Sequence, residues 1–357
     1  MDTPLQPPVS PMLAKSQPTI PVGEGWRYEP KWDGFRSIIF RHGDDVELGS
    51  RNAKPLTRYF PEVVEYVKAA FPDDAVVDGE LVIVGDNGAV DFDLLSLRVH
   101  PAKSRVDRLS AEIPALFVAF DLLAIDGEDI CDQPFDARRA RLVEALDGKG
   151  KGIYVTPMTT DPAEAQVWFE RWEGAGLDGV MAKKGDDTYH PGQRTMIKIK
   201  HERTIDCAVA GFRWHKDGQG IGSLLLGLYD DAGNLHHVGV TGSFTQAKRR
   251  ELVDELAPLR ENATDNHPWG EWAQMQASGM DKPPTGNRWN AGKDMSWVPL
   301  RVELVVEVAY GHFQGGTRMR HAASFRRFRY DREPRSCTYE QVRMPDTVNI
   351  AEVLAAT

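Results

Sequence analysis

Near Lys200 the apolar pattern of this chain changes, and the two parts call for different architectures. From Thr204 onward, CAVAGFRW, GSLLLGLYD and LHHVGVTG are apolar runs separated by glycine turns, and each reads as a strand. A helix is expected over roughly 245–257, then a Pro/Gly-containing connector over 261–294, then a last strand region, MSWVPLRVELVVEVAYGHF. Five short strands with a helix between the third and fourth fit an OB barrel.

Before the break the pattern is mixed. FRSIIF and DVELGS flank His42-Gly43-Asp44 and predict a hairpin. The runs VVDGELVIV (76–84) and LFVAFDLLAI (116–125) read as strands, the second fully buried. Apolar residues at helical spacing predict helices over 59–70 and 135–146. Asp161-Pro162, an N-cap followed by proline at the first helical position, opens a third that runs to residue 173. The fold class is α+β, with the boundary inside 200–206. We expect one domain over 1–203 and an OB-fold β-barrel domain over 204–357, and 357 residues suffice for two cores.

Composition narrows the setting. No apolar run approaches the length that crosses a bilayer, and the Pro-rich start lacks the apolar stretch of a signal peptide. Cys131, Cys207 and Cys337 lie far apart and share no metal-ligand spacing, which points to a reducing cytoplasm and no structural zinc. The net charge of −10 argues mildly against a nucleic-acid partner. The charge is uneven, however. Arg318, Arg320, Arg326, Arg327, Arg329, Arg332 and Arg335 fall in one stretch against only Asp331 and Glu333. Arg98, Lys103, Arg105 and Arg108 form a second basic group; Lys248, Arg249 and Arg250 form a third that reads as a solvated face.

Five short motifs carry chemistry. In Glu29-Pro30-Lys31-Trp32-Asp33-Gly34-Phe35-Arg36 a lysine stands between a carboxylate and a glycine, a weak signal by itself. Val77-Asp78-Gly79-Glu80-Leu81 puts two carboxylates on one face of an apolar strand, which is costly unless they bind something. Phe120, inside LFVAFDLL, reads as a core residue, with a base-stacking platform as the rival. Leu177-Asp178-Gly179-Val180-Met181-Ala182-Lys183 repeats the acid-then-lysine pattern. In Met196-Ile197-Lys198-Ile199-Lys200 two ammonium groups share one strand face and repel unless an anion lies between them. A phosphate suits them, and their field favours deprotonation of a nucleophilic lysine.

In this order and spacing the motifs resemble those of the covalent nucleotidyltransferases, and of ATP-dependent DNA ligases in particular. Lys31 to Gly34 looks like the KxDG adenylation motif, with Arg36 two places beyond its glycine. Asp78-Gly79-Glu80, Phe120, Asp178-Gly179 through Lys183, and Lys198-Ile199-Lys200 resemble the four motifs that follow, and Arg329-Tyr330-Asp331-Arg332 resembles the RxDK motif of the OB domain. The wording of LDGVMAKK and SFRRFRYDR is closer to DNA ligases than to capping guanylyltransferases or RNA ligases, and the arrangement is most similar to the short bacterial type called ligase C. Asp178 stands where the family has Glu, and Arg332 where it has Lys.

The resemblance implies an adenylyltransferase domain followed by the OB barrel, and sealing of 5′-phosphate/3′-hydroxyl nicks in duplex DNA, in repair. Lys31 takes AMP from ATP; Lys198 and Lys200 hold the α-phosphate. Glu80 binds a ribose hydroxyl or a metal-bound water, Phe120 stacks on adenine, and Asp178 helps hold Mg²⁺ or Mn²⁺. Glu29, Arg36, Lys183, Arg51 and Arg194 complete the nucleotide site, with Arg51 and Arg194 facing nucleotide or nick phosphate. Arg329 and Arg332, with Asp331, close over pyrophosphate as the OB domain turns about 201–206. Only about thirty residues precede Lys31, too few for the helical DNA-binding domain of larger ligases. A monomer working at the nucleoid is expected, partnered by a repair polymerase or an end-binding protein. Its DNA grip is expected from the two domains and a basic loop over 98–108.

Overall fold

The computed structural model describes residues 4–52, 54–277, 295–311, 313–342 and 345–356. It divides into two compact units, Met1–His201 with Pro345–Thr357, and Glu202–Met344.

The first unit holds two sheets. Strands β1 (Leu13–Ser16), β10 (Arg194–Lys200), β9 (Gly179–Lys184) and β2 (Trp26–Lys31) form one, in that order. The other runs β4 (Asp45–Ser50), β3 (Phe35–His42), β5 (Asp74–Val82), β6 (Leu116–Ile125) and β7 (Glu128–Asp129), with β8 (Ile153–Val155) beside β6. Each sheet has one face against helices. Ile39, Val77, Phe117 and Ala119 pack with Val63 and Val67 of α1 (Pro61–Ala70), Leu95 of α2 (Phe92–Arg98) and Leu142 of α4 (Phe135–Leu146). Tyr28, Val180, Ala182 and Ile199 pack with Trp168 of α5 (Pro162–Arg171) and with Trp172. The opposite faces meet one another at one end, where Ile38, Phe40 and Val76 touch Met196. Alternation fixes what else those inner faces carry. Lys198 and Glu29 both lie opposite Met181, so they share its side, while Arg36 lies opposite Glu80 and Ile38 opposite Asp78.

The expected hairpin, the buried β6 and helix α4 all form, and Asp161 caps α5 by accepting from the Ala163 amide at 2.8 Å. Two expectations are corrected. The basic segment 98–108 is not a loop: it is the end of one helix and most of another, and Arg98 is not on the surface. Arg98 is fully buried, paired with Glu62 at 2.6 Å and donating to the Tyr59 carbonyl at 2.8 Å. Helix α3 (Lys103–Glu112) spends Lys103 on Asp107 and Arg108 on Glu112, each one turn on. The second correction concerns residues 345–356, expected in the OB domain. The short helix α8 (Ile350–Leu354) buries Ile350 and Val353 with Trp168 and Trp172, and the Ile350 amide donates to Gly88 at 2.8 Å.

The second unit is a five-stranded antiparallel sheet in the order β13 (Leu235–Thr241), β12 (Ile221–Tyr229), β11 (Arg203–Trp214), β14 (Val298–Tyr310), β17 (Ser324–Phe328). Its edges meet where Thr241 bridges Ala323, and the Ala323 amide donates to Val240 at 2.8 Å, which closes the barrel and removes the free edge. The fifth strand comes from the arginine-rich stretch. A short hairpin, β15 (Phe313–Gln314) and β16 (Arg318–Met319), precedes it. Helix α6 (Gln246–Leu256) follows the third strand, capped by Thr245. Arg249 is no solvated residue: it donates to the carbonyls of Ile221, Gly222 and Gly242. The expected connector contains helix α7 (Gly270–Ala277), and residues 278–294 of it lie outside the described residues.

Candidate active site

Lys31 ends β2, and its Nζ donates to Asp178 Oδ2 at 2.7 Å. Lys200 Nζ meets the same oxygen at 2.5 Å. The two backbones are tied as well, with the Asp178 amide on the Lys31 carbonyl at 2.8 Å. Burial alone would raise the Asp178 pKa; the two ammonium groups outweigh it and hold the carboxyl well below the usual carboxylate range. Glycine is required beside both residues. A Cβ on Gly179, which has φ +134°, would sit 2.0 Å from the Ile199 carbonyl oxygen, and one on Gly34 would sit 2.0 Å from that of Leu81.

Lys198 carries a depressed pKa, from burial first and then from Lys200, Lys31, Arg51 and Arg194 around it. Arg51 lies in an exposed turn, and Arg194 begins β10 with its guanidinium toward the Ala14 carbonyl at 3.4 Å. Lys198 thus has four other cations around it, and two of them, Lys31 and Lys200, share Asp178; a field of this sign favours an anion.

Across from them, Arg36 grips Asp78 with two nitrogens, both at 2.5 Å, and Tyr189 donates to Asp78 at 2.6 Å. Asp78 is fully buried and spent on these internal partners. Glu80 is the carboxylate left on that face, and burial pushes its pKa up to about 7 against the pull of Arg36 and Lys31. Strand β6 slips register here: Asp78 pairs with Asp121 and Gly79 with Ala119, so Phe120 is the extra residue of a bulge. Its ring lies under the Arg36 guanidinium at 4.4 Å, and Lys183 Nζ lies 5.0 Å from the ring centroid. Lys183 pairs with Glu29 at 2.8 Å and donates to the Phe120 carbonyl at 3.1 Å. Glu29 Oε1 is buried without a hydrogen-bond partner among the described residues. An orphaned acceptor costs about 1–3 kcal/mol, more when charged, unless a donor arrives.

The structure therefore brings Glu29, Lys31, Arg36, Glu80, Phe120, Asp178, Lys183, Lys198 and Lys200 into one setting between the two sheets of the first unit. Among the described residues no three His, Cys, Asp or Glu side chains cluster as a metal cage. Asp178 and Glu80 both lie beside Lys31, so a divalent cation here would complete its shell with phosphate oxygens and water.

In the second unit Arg329 and Arg332 each donate to Asp206 Oδ2, at 3.0 and 2.5 Å. Arg329 also takes Asp331 with two nitrogens at 2.9 Å, and Arg332 holds Ser336. Sequence reasoning missed Asp206 and Tyr189. Asp206 had one faint signal, a lone acid opening an apolar strand; Tyr189 had none.

A family model described as ATP dependent DNA ligase domain matches residues 11–200, and one described as ATP dependent DNA ligase C terminal region matches 217–332. The chain is 53% identical to DNA ligase C of Mycobacterium tuberculosis over 99% of both chains. It is 54% identical to DNA ligase C2 of Mycolicibacterium smegmatis over 97% of both. A solved structure from an analysis of Lig E DNA ligases shares the fold, with a TM-score of 0.56 at 20% identity over 90% of this chain and 99% of that one. Two family matches in series and near-full-length identity above one half, over a pocket of this composition, make the chain a member of the ATP-dependent DNA ligases, of the short bacterial ligase C type.

Proposed function

We propose that Lys31 is the nucleophile of this ligase and that the cations around Asp178 receive the phosphates of ATP. The observation that carries the reading is the shared Asp178 oxygen, which fixes Lys31 Nζ beside Lys200 and Lys198. An ammonium is no nucleophile, so Lys31 first gives up a proton. Asp178 is too acidic to keep it; it orients the amine, and the proton passes to water. The amine forms a P–N bond to the α-phosphorus and gives a second proton to water while the bond to the bridging oxygen breaks, and pyrophosphate leaves with the electron pair. A nick 5′-phosphate oxygen next attacks the AMP phosphorus and displaces Lys31, whose nitrogen takes back both protons from water. The 3′-hydroxyl then attacks that phosphate, loses its proton, and expels AMP.

Lys198 and Lys200 neutralise charge on the α-phosphate through these steps. Glu29 Oε1 supplies the acceptor for an N–H of the base, and Phe120 offers it a flat wall backed by Arg36. Glu80 orients a ribose hydroxyl or a metal-bound water. Arg51 and Arg194 extend the anionic track toward nucleotide or nick phosphate, and Arg329 and Arg332 serve pyrophosphate. Mg²⁺ or Mn²⁺, held through Asp178 and Glu80, supplies Lewis-acid neutralisation of the phosphates. The working form is a monomer acting on the chromosome in repair, alongside a polymerase or an end-binding protein.

Lys31→Ala should leave no covalent AMP after incubation with α-labelled ATP and no sealing of a 5′-phosphorylated nick. It should still seal a pre-adenylated nick slowly. Adenylate on another lysine of the variant would overturn the assignment.

A further inference from the structure

Arg36 has two carboxylates within reach on one face of the neighbouring strand, and it takes the more distant one. Glu80 of β5 lies directly opposite it, and Asp78 lies on the diagonal, two residues along. Across an antiparallel pair the Cβ atoms of opposite residues stand about 5 Å apart, and diagonal neighbours roughly 7–8 Å. Register alone therefore favours an Arg36–Glu80 pair. Yet Nε and Nη2 of Arg36 both go to Asp78, each at 2.5 Å.

The group that tips this choice comes from outside the sheet. Tyr189 lies between β9 and β10 and is 3% exposed, and its hydroxyl donates to Asp78 Oδ2 at 2.6 Å. The hydroxyl is itself held in place. It accepts from the Met12 amide at 3.0 Å, and the Met12 carbonyl accepts from Arg36 at 3.3 Å. The Tyr189 amide is anchored on the Cys131 carbonyl at 2.8 Å. Burial, and then the charge of Asp78, pushes the phenol pKa well above its ordinary value, so the O–H remains a donor. A buried carboxylate is tolerated where donors meet its oxygens, and Tyr189 supplies Asp78 with one that does not come from Arg36.

We propose that Tyr189 is a positioning residue for the nucleotide: its hydroxyl commits Arg36 to Asp78, which keeps Glu80 open to ATP and the guanidinium over the Phe120 ring. The proposal rests on the reading of Glu80 and Phe120 as nucleotide contacts. Without the hydroxyl Asp78 loses a donor, and Arg36 divides its nitrogens between the two acids. Glu80 is then paired before ATP arrives, and ATP binds only by breaking that pair.

Self-adenylation of the full-length protein is followed in single turnovers against ATP concentration for the wild type, Tyr189→Phe, Glu80→Gln and the double variant, each checked by thermal melt. Tyr189→Phe keeps the ring and removes one oxygen. The half-saturating ATP concentration should rise about tenfold, the worth of one hydrogen bond to a charged group, while the saturated rate changes far less. In the Glu80→Gln background Arg36 has a single carboxylate to take, so adding Tyr189→Phe should cost about twofold at most. A hydroxyl that only stiffens the fold would cost the same factor in both backgrounds, and equal factors overturn the proposal. So does a folded Tyr189→Phe that saturates at the wild-type ATP concentration while Glu80→Gln does not. A Glu80→Gln variant that itself saturates like the wild type would remove Glu80 from the nucleotide site, and the proposal would fall with that reading.

Discussion

Each unit contains a tightly held carboxylate oxygen shared between two cations. Asp178 Oδ2 receives Lys31 and Lys200; Asp206 Oδ2 receives Arg329 and Arg332. The geometry is nearly the same and the chemistry differs. The Asp178 side chain keeps 23% of its exposure, and its partners are lysines, which can surrender a proton and exchange partners. The Asp206 side chain keeps 7%, its partners never deprotonate, and Ser336 braces Arg332 further. The first cluster can be taken apart by a proton transfer; the second holds two guanidinium groups in a set orientation.

The sharpest way to test this contrast is Asp178→Asn. It removes the charge that aligns the amine while leaving the side chain's shape, and self-adenylation should fall on the order of 10²–10³-fold. Asp178→Glu keeps the charge and should recover most of the rate. Equal loss in both variants would mean that reach, not charge, matters at this position. A smaller effect is expected at the arginine cluster. Arg332→Ala should slow self-adenylation about 10–100-fold, the worth of a charge-assisted contact. Sealing of a pre-adenylated nick should change far less; matched losses in the two assays would point to DNA contact instead.

The smallest effect is a pH slope. Glu80 holds its proton up to about pH 7, whereas in the unfolded chain it loses it near pH 4.5. Between those values the folded state binds more protons, so stability falls as pH rises through the window. Glu80→Gln should flatten the slope in denaturant melts at pH 5 and 7.5. A variant with the wild-type slope would show that Glu80 is ionised in the folded protein.

Much of this was legible because it is local. Residues 135–146 follow a period that a helix alone satisfies, and Asp161-Pro162 is a start signal written in two residues. The lysines of β10 and the Lys31 segment were also readable, since alternation on a strand decides which side chains share a face. Contacts across long separations were not. Arg98 looked like part of a basic surface because its partner Glu62 stands 36 residues away. Residues 345–356 carry no signal that distinguishes a helix buried on the first unit from one on the second. The fifth barrel strand hid among arginines, where charge masks alternation. Asp78 and Glu80 looked equivalent until Arg36 and Tyr189 claimed only the first.

The return of the chain to the first unit after the OB barrel has a bearing on how the protein is made. Ile350 and Val353 belong to the core that holds Trp168 and Trp172, yet a ribosome adds them only after the whole OB unit. During synthesis the adenylylating unit therefore waits, with that side of its core uncovered, until the whole OB unit has been threaded out. Translation order and folding order cannot coincide for this enzyme: the barrel, although second in sequence, is the part that can be finished first.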